Sequence, residues 1–319
     1  MNKFNSSKKP LVWFSALLLS AAVAGCGGQD PILGGGAGAS TSSGPTGVTA
    51  ANLLGTAASY GIAATTGVKN TPLTTINGNV VLSPVSGATC NSVSIDSSGG
   101  FGLCNSTPPI LGGTSKVYSA LYDPNGAVSG VKADMNSGFL SLTPPAGPPA
   151  AGSLGGATNI PAGTTLGGPT GSALVAGTNL FYPGVYQSLT SIMVTNDLTL
   201  DAQGNPNAVF VFQSSSTVGT ADGSAPPVPH TRILLINGAK ASNVWWVAAS
   251  SATLGTYSEF QGNILAAYSI TMKTGATSCG RLLAGAWVGG NGAFVFDNNI
   301  VSVPGQPFAP PPGYSTICQ

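Results

Sequence analysis

Charged side chains are scarce in this chain of 319 residues, since Asp, Glu, Lys and Arg together make up 6% of it. An ordinary globular domain has about a quarter. The chain has one histidine, His230, in a proline-rich segment, and it has no Cys-x-x-Cys pair. Enzymes generally gather several ionisable groups in one cleft, and zinc sites need Cys or His ligands. We therefore expect no catalytic residue, no metal site and no cofactor.

Two small sets of residues suggest action on carbohydrates, one as catalytic carboxylates and the other as an aromatic surface that stacks against sugar rings. Asp201, Asp222 and Asp297 are candidate catalytic carboxylates, but each lies close to Gly or Asn, where Asx turns are the ordinary explanation. Trp245 and Trp246 are adjacent in a predicted strand, where neighbouring side chains face opposite sides. We expect at least one of these two indoles to lie in the core.

The N-terminus indicates export. Three lysines precede an apolar run over 11–24 that is too short to span a membrane, so residues 1–25 are predicted to be a signal peptide. The run ends in VAGC, which resembles a lipobox with Cys26 as the lipidated residue, and Gly27 permits sorting to the outer membrane in Gram-negative lipoproteins. We expect an exported protein that is lipid-anchored through Cys26 at the outer membrane or cell surface.

The mature chain begins with a spacer and has little charge. Residues 26–50 consist mostly of Gly, Ser, Thr, Ala and Pro, a composition predicted to form a flexible linker. Removal of residues 1–25 leaves seven Lys and Arg against nine Asp and Glu, a formal net charge of −2. Such a balance does not attract polyanions, so we expect no nucleic acid partner and a monomer.

Four cysteines remain after Cys26, an even number that predicts two disulfides in an exported protein. Three connectivities are possible. We favour a local Cys90–Cys104 bond, because these residues bracket a turn-rich insert, together with a Cys279–Cys318 bond that holds the C-terminal tail.

Four segments of the C-terminal half resemble one another, each running from an apolar strand through small polar residues to Thr or Asn with Gly. They are AVFVFQSSSTVGT (208–220), NVWWVAASSATLGT (243–256), NILAAYSITMKTGAT (263–277) and RLLAGAWVGGNGAF (281–294). The strands begin at Val244, Ile264 and Leu282, which are 20 and 18 residues apart. This period suits one coil of a β-solenoid with three short strands per turn. A jelly roll or sandwich remains the alternative.

One helix is predicted over 127–142, where Val128, Val131, Met135 and Phe139 form an apolar stripe at spacings of three and four. This helix would pack alongside the solenoid. The cysteine-containing segment 86–120 is predicted to be an irregular insert or cap.

The chain resembles the ice-binding-like β-solenoid family of cold-adapted microbes. The resemblance spans residues 51–304 and is carried by phrases such as LGTAASYGIAA (54–64), TTINGNVVLSP (74–84), LTLDAQGNPNAVFVFQ (198–213) and FQGNILAAYSITMKTGATSCGRLLAG (260–285). It implies an all-β-dominated fold, a right-handed, discontinuous β-solenoid of triangular section with one α-helix alongside. It also implies that the N-terminal coil stacks next to C-terminal coils. Residues 305–319 would form a tail.

The resemblance further implies that the partner is an ice crystal surface, bound by a flat, uncharged face. Thr suits such a face because its methyl group restrains neighbouring water while its hydroxyl anchors it, and strands stacked about 4.8 Å apart would repeat the array. The candidate residues are Thr217, Thr220, Thr253, Thr256, Thr271, Thr274, Thr277 and Asn291. Their spacing of three differs from the strand period of two, which predicts an imperfect face and moderate activity. The alternative function is a surface adhesin that binds glycans or cells.

Overall fold

The computed structural model of the chain describes residues 49–82, 89–94, 97–102, 104, 107–142, 157–228, 230–306, 310–314 and 318. The predicted signal peptide, Cys26 and nearly all of the predicted linker lie outside the described residues. In the part that is described, no helix is both long and apolar enough to cross a membrane.

Up to the end of α2, the described residues contain two helices and eight short strands. They are α1 (Ala50–Leu54), followed by a 3-10 turn (Gly55–Ser59), β1 (Ile62–Ala64), β2 (Gly67–Thr71), β3 (Thr75–Asn77), β4 (Val80–Leu82), β5 (Thr89–Cys90), β6 (Val93–Ser94), β7 (Ile110–Leu111), β8 (Val117–Ser119) and α2 (Val128–Leu142).

The remaining strands follow α2 in regular succession. They are β9 (Thr158–Asn159), β10 (Thr165–Leu166), β11 (Leu180–Phe181), β12 (Gly184–Ser188), β13 (Ile192–Val194), β14 (Asp197–Asp201), β15 (Phe210–Ser214), β16 (Val218–Thr220), β17 (Arg232–Ile236), β18 (Val244–Ala248), β19 (Ala252–Leu254), β20 (Glu259–Gln261), β21 (Asn263–Ala266), β22 (Ile270–Met272), β23 (Thr277–Cys279), β24 (Leu282–Ala284), β25 (Ala293–Asp297) and β26 (Ile300–Ser302).

Successive strands along the chain are distributed over three sheets, and this makes each coil a triangle. Sheet A has the order β8-β4-β1-β24-β21-β18-β15-β12-β9, sheet B the order β10-β13-β16-β19-β22-β25-β2-β5-β6, and sheet C the order β11-β14-β17-β20-β23-β26-β3-β7. Apart from the β5–β6 hairpin, the strand pairs are parallel. The prediction of a three-sided β-solenoid is therefore confirmed, and the sandwich alternative is wrong.

The N-terminal coil is inserted at the C-terminal side of the stack. Ile62 pairs with Leu282 in sheet A, Lys69 with Val295 in sheet B, and Ile76 with Val301 in sheet C. The discontinuous order that the family resemblance implied is thus confirmed. The two termini of the folded body are held together by backbone ladders on all three faces.

The interior of the prism is filled with aromatic and aliphatic side chains. Tyr186, Phe212 and Trp246 occupy equivalent positions on β12, β15 and β18, and their rings stack, with centroids 5.2 Å and 4.2 Å apart. Phe260 also contacts Trp246, with ring centroids 5.4 Å apart. This buried column makes the backbone of the surrounding faces stiff, since well-packed aromatic rings leave little room for movement.

Helix α2 covers the outer face of sheet A, where the apolar stripe predicted it would pack. Met135 and Phe139 belong to the same buried cluster as Trp245, Val247 and Leu265 of the sheet. Sheet A is therefore apolar on both sides, which explains why runs such as VFVF and VWWVA are continuous rather than alternating. The short helix α1, which the sequence pattern did not predict, packs against α2.

The insert closes one end of the prism. It is less irregular than predicted, because β5, β7 and β8 extend sheets B, C and A with parallel pairs. Its Cys90–Cys104 disulfide is present, and both cysteines are buried in the interior cluster with Phe101. The Cys279–Cys318 disulfide is also present, so the favoured connectivity agrees with the structure.

Candidate functional site

Two of the three faces carry further parts of the chain. Sheet A lies under α2, and the middle of sheet C lies under the loop that contains His230 and the C-terminal tail, whereas Ile110 at the end of sheet C is 56% exposed. Tyr314 of the tail donates its hydroxyl hydrogen to Gly275 O at 2.5 Å, and Cys318 is bonded to Cys279 of β23. On sheet C, Glu259 and Thr277 are consequently 0% and 2% exposed. Sheet B is therefore the face with room for a large flat partner.

The central row of sheet B consists of the outward-facing residue of each strand. Thr253 of β19 and Thr271 of β22 are direct partners in this row. From one end of the sheet to the other, the row is Thr165, Met193, Gly219, Thr253, Thr271, Val295 and Lys69. Its members from Thr165 to Val295 carry no charge, and its centre is a pair of threonines.

A second row runs beside it, formed by the residue that precedes each strand of sheet B. Its members are partly exposed and carry hydroxyl groups over four successive coils, Ser191, Thr217, Ser251 and Ser269. The backbone carbonyls of Thr217, Ser251 and Ser269 each accept a hydrogen bond from the preceding coil, which aligns the row. Thr217 Oγ1 also donates to Ser191 Oγ at 2.8 Å. The hydroxyl groups therefore form an ordered array rather than a set of independent side chains.

Charged groups border this array on the opposite side, at the corner between sheets B and C. Lys273 Nζ contacts Asp222 Oδ2 at 2.8 Å, and Thr256 N donates to Asp222 Oδ1 at 2.9 Å. The hydrogen bond from Lys273 lowers the pKa of the Asp222 carboxyl group, with a further contribution from the Thr256 amide. Asp222 follows β16 and Lys273 follows β22, so the ion pair spans the intervening coil that contains Thr256. The charges at this corner are therefore paired with each other beside the row.

The end of sheet B near the insert is not flat. A groove of about 670 Å³ lies there, between Ala293 and Val295 of β25 and the residues Thr89 and Asn91 of the hairpin. Lys69 also lines it and is exposed. The groove and the lysine mark the end of the regular uncharged surface.

The structure separates the eight residues suggested by the sequence. Thr253 and Thr271 lie in strands of sheet B, Thr217 directly precedes the strand β16, and all three have exposed surface. Thr256 and Thr274 lie at the corner, where their hydroxyls donate to Gly223 O and to Asp297 Oδ2. Their hydroxyl groups are thus used to hold neighbouring coils together.

The other three do not belong to the array. Thr220 is 4% exposed and its Oγ1 accepts from Gly255 N at 2.7 Å, while Thr277 lies on sheet C and is 2% exposed. Asn291 is exposed in the loop before β25 rather than in a strand. Because strand side chains alternate with a period of two, a threonine three residues after an outward one faces inward or has already passed the corner.

Sequence reasoning overlooked Ser191 and Ser269 and also Met193 and Val295. The serines repeat one position before each apolar strand start, and this signal is present in the sequence. Met193 and Val295 carry no such signal, because only the strand register assigns them to the threonine row.

The residues that had suggested other chemistry are used for structure. Both Trp245 and Trp246 are 0% exposed, so neither forms a sugar platform. Asp201 accepts a hydrogen bond from Gln203 N at 2.8 Å, as in an Asx turn. His230 contacts Glu259 Oε1 at 2.6 Å through Nε2. Among the described residues, no three His, Cys, Asp or Glu side chains are grouped in a way that could hold a metal ion.

Fold and open face together define a three-sided parallel β-solenoid that presents an uncharged array of hydroxyl groups. The sequence model of the family described as ice-binding-like matches residues 62–289, which is well over half of the chain. The chain therefore belongs to the ice-binding-like family.

Relatives and solved structures agree with this assignment. The chain is 30% identical over 257 residues to an ice-binding protein of Flammulina populicola, covering 79% of this chain and 88% of that protein. It is 49% identical over 121 residues to an ice-binding protein of Nostoc sp., a match that spans only 40% of that relative. It is also similar to the crystal structure of an ice-binding protein from Antarctomyces psychrotrophicus, with a TM-score of 0.57, 32% identity and coverage of 78% and 96%.

Proposed function

We propose that this chain binds ice through sheet B. The observation that carries the proposal is the pair of adjacent rows on sheet B, which neither α2 nor the described part of the tail covers. They are the Thr253–Thr271 row and the row of Ser191, Thr217, Ser251 and Ser269. Relatives that bear the name of ice-binding proteins support it.

The chemistry of the face suits ice better than it suits a soluble ligand. Ice presents a lattice of oxygen atoms without charge or cavity, so the protein must order water over a plane. Thr side chains have a stiff χ1 because they are β-branched. Parallel strands repeat them about every 4.8 Å. The methyl groups restrain water and the hydroxyls hold it by hydrogen bonds. No charged side chain lies in the central row between Thr165 and Val295.

The array is interrupted, and we infer moderate activity. Met193 and Gly219 precede the threonine pair in the row, while Val295 and Lys69 follow it. Two consecutive coils therefore offer threonine in the central row, and Lys69 with the adjacent groove limits the plane at one end.

The test is a paired substitution on the mature chain. Thr253→Tyr with Thr271→Tyr should abolish thermal hysteresis and inhibition of ice recrystallisation, because the bulky rings prevent close contact with a plane. Thr158→Tyr is the matched control, since Thr158 is exposed on sheet A; it should keep full activity. A wild-type chain without effect on ice at tens of micromolar would refute the function, and an active double variant would refute the site.

We also propose that the protein is exported and anchored by lipid on Cys26, and that it is a monomer. Growth with radiolabelled palmitate should label the wild type and not the Cys26→Ser variant, and sedimentation of the soluble variant should give the mass of one chain. Labelling of the variant, or a dimer mass, would contradict these proposals. The resemblance of VAGC to a lipobox supports the lipid anchor. The low charge of the chain supports a partner other than nucleic acid.

A further inference from the structure

The first described residues are fixed on the helix side of the molecule. Thr49 caps α1, its Oγ1 accepting a hydrogen bond from Asn52 N at 3.2 Å. Leu53 and Leu54 of α1 are buried, in the same apolar cluster as Phe139 of α2. The described part of the chain therefore begins beside α2, on the outer side of sheet A.

Polar contacts hold this exit point in place. Thr56 donates to Asp134 Oδ2 of α2 from both its backbone N and its Oγ1, at 2.7 Å and 2.5 Å. The Nε of Arg281 donates to Ala58 O at 3.0 Å, which ties the same segment to the solenoid. The exit point is thus fixed to the folded body beside α2 and sheet A.

The solvent side of α2 has no chemistry that would make it lie flat on a bilayer. Its exposed positions include Ser129, Ala133 and Ser137, which are small and uncharged. Anionic lipid surfaces attract Lys and Arg clusters, and bilayer interfaces attract large apolar side chains. A lipid on Cys26 would be linked to the folded body through residues 27–48. A chain of this length reaches at most about 80 Å when fully extended.

We propose that the anchored protein binds a membrane and an ice crystal at the same time, the tether leaving beside α2 while sheet B stays open to ice. This rests on the proposed ice binding and on lipid at Cys26. The function of the protein is then adhesion of the membrane surface to ice. The two attachments do not compete, because they use different sides of the prism.

The experiment couples the chain to phosphatidylcholine vesicles that carry a maleimide lipid, through a chosen cysteine. One sample uses Cys26 of the non-lipidated mature chain. Two others carry Cys26→Ser with either Ser137→Cys, on the solvent side of α2, or Met193→Cys, in the central row of sheet B and 37% exposed. Each sample is exposed to a slowly growing ice surface, and captured vesicles are counted by fluorescence.

Vesicles coupled through Cys26 or Ser137→Cys should be captured, and those coupled through Met193→Cys should remain in the liquid at the level of bare vesicles. Ice affinity of the uncoupled wild-type chain is measured in parallel. If that chain binds ice and the Cys26-coupled vesicles are not captured, or if Met193→Cys vesicles are captured equally well, simultaneous binding is overturned. If the uncoupled chain itself does not bind ice, the proposed function fails, and adhesion fails with it.

Discussion

Thr253 and Thr271 stand directly opposite each other on neighbouring parallel strands, and both side chains face outward from sheet B. They are 18 residues apart in the chain, one coil of the solenoid. Parallel stacking brings such residues to about 4.8 Å, and the stacked aromatic rings inside the prism keep the strands from shifting. The pair is the centre of the proposed ice-binding surface.

Extending the threonine row should increase activity. Val295 is the partner of Thr271 on the next strand. Val295→Thr replaces a methyl group by a hydroxyl without changing the branched shape, and on a partly exposed site it should alter the free energy of unfolding by less than about 0.5 kcal/mol. Thermal hysteresis should rise. The reverse exchange Thr271→Val should lower it, and equal activity in both variants would show that the hydroxyl groups do not matter.

Lys132 of α2 should stabilise the loop that leads into β25. Its Nζ donates to Trp287 O at 2.6 Å, to Gly290 O at 2.7 Å and also to Gly285 O. Burial lowers the pKa of Lys132 to about 8, whereas three carbonyl acceptors favour the ammonium form. Lys132→Met leaves these carbonyl groups without their ammonium donor. We expect the free energy of unfolding to fall by about 1–3 kcal/mol.

Urea unfolding of the Lys132→Met variant provides the measurement, with Lys240→Met as the control because Lys240 is exposed. The control should unfold like the wild type. Equal stability of all three proteins would mean that the loop does not depend on the lysine.

Removing His230 alone should lower the free energy of unfolding more than changing both His230 and Glu259. Both residues are buried, at 7% and 0% exposure. His230→Ala removes one partner of a buried carboxyl group, which typically costs about 3–5 kcal/mol when the pair is ionic. Adding Glu259→Gln removes the charge as well, and the double variant should recover part of the loss in guanidinium unfolding. A double variant less stable than the single one would contradict this reasoning.

Docking of the tail should weaken at high pH. Burial, with Glu259 nearby, raises the pKa of Tyr314 to about 12, from 10.0 for an exposed phenol. Between these values the folded state keeps a proton that the unfolded chain has lost, so this contribution to stability is complete below pH 10 and disappears as the pH rises to 12. The free energy of unfolding of wild type and Tyr314→Phe, measured from pH 9 to 12, should converge; a constant difference would exclude this role for the phenol.

The helix was predictable because its cause is local. An apolar stripe at spacings of three and four needs one buried face and nothing else, and α2 spans Val128–Leu142, where the stripe lies. The coils were predictable for a similar reason, since strand starts recur at nearly equal intervals. The contact of His230 with Glu259 had no sequence signal, because the two residues are 29 positions apart and meet only where a loop crosses sheet C.

The amino-acid sequence by itself determined the class of the molecule: few charges, repeated short apolar strands and small polar corners allow a solenoid with a neutral surface. Only the tertiary structure decided which face is open. Of the repeated threonines, Thr253 and Thr271 face solvent on sheet B, whereas Thr220 faces inward and Thr277 is covered on sheet C. The physical reason is that exposure depends on the strand register and on what packs over each face, α2 on one and the tail on another, and neither is a local property of the chain.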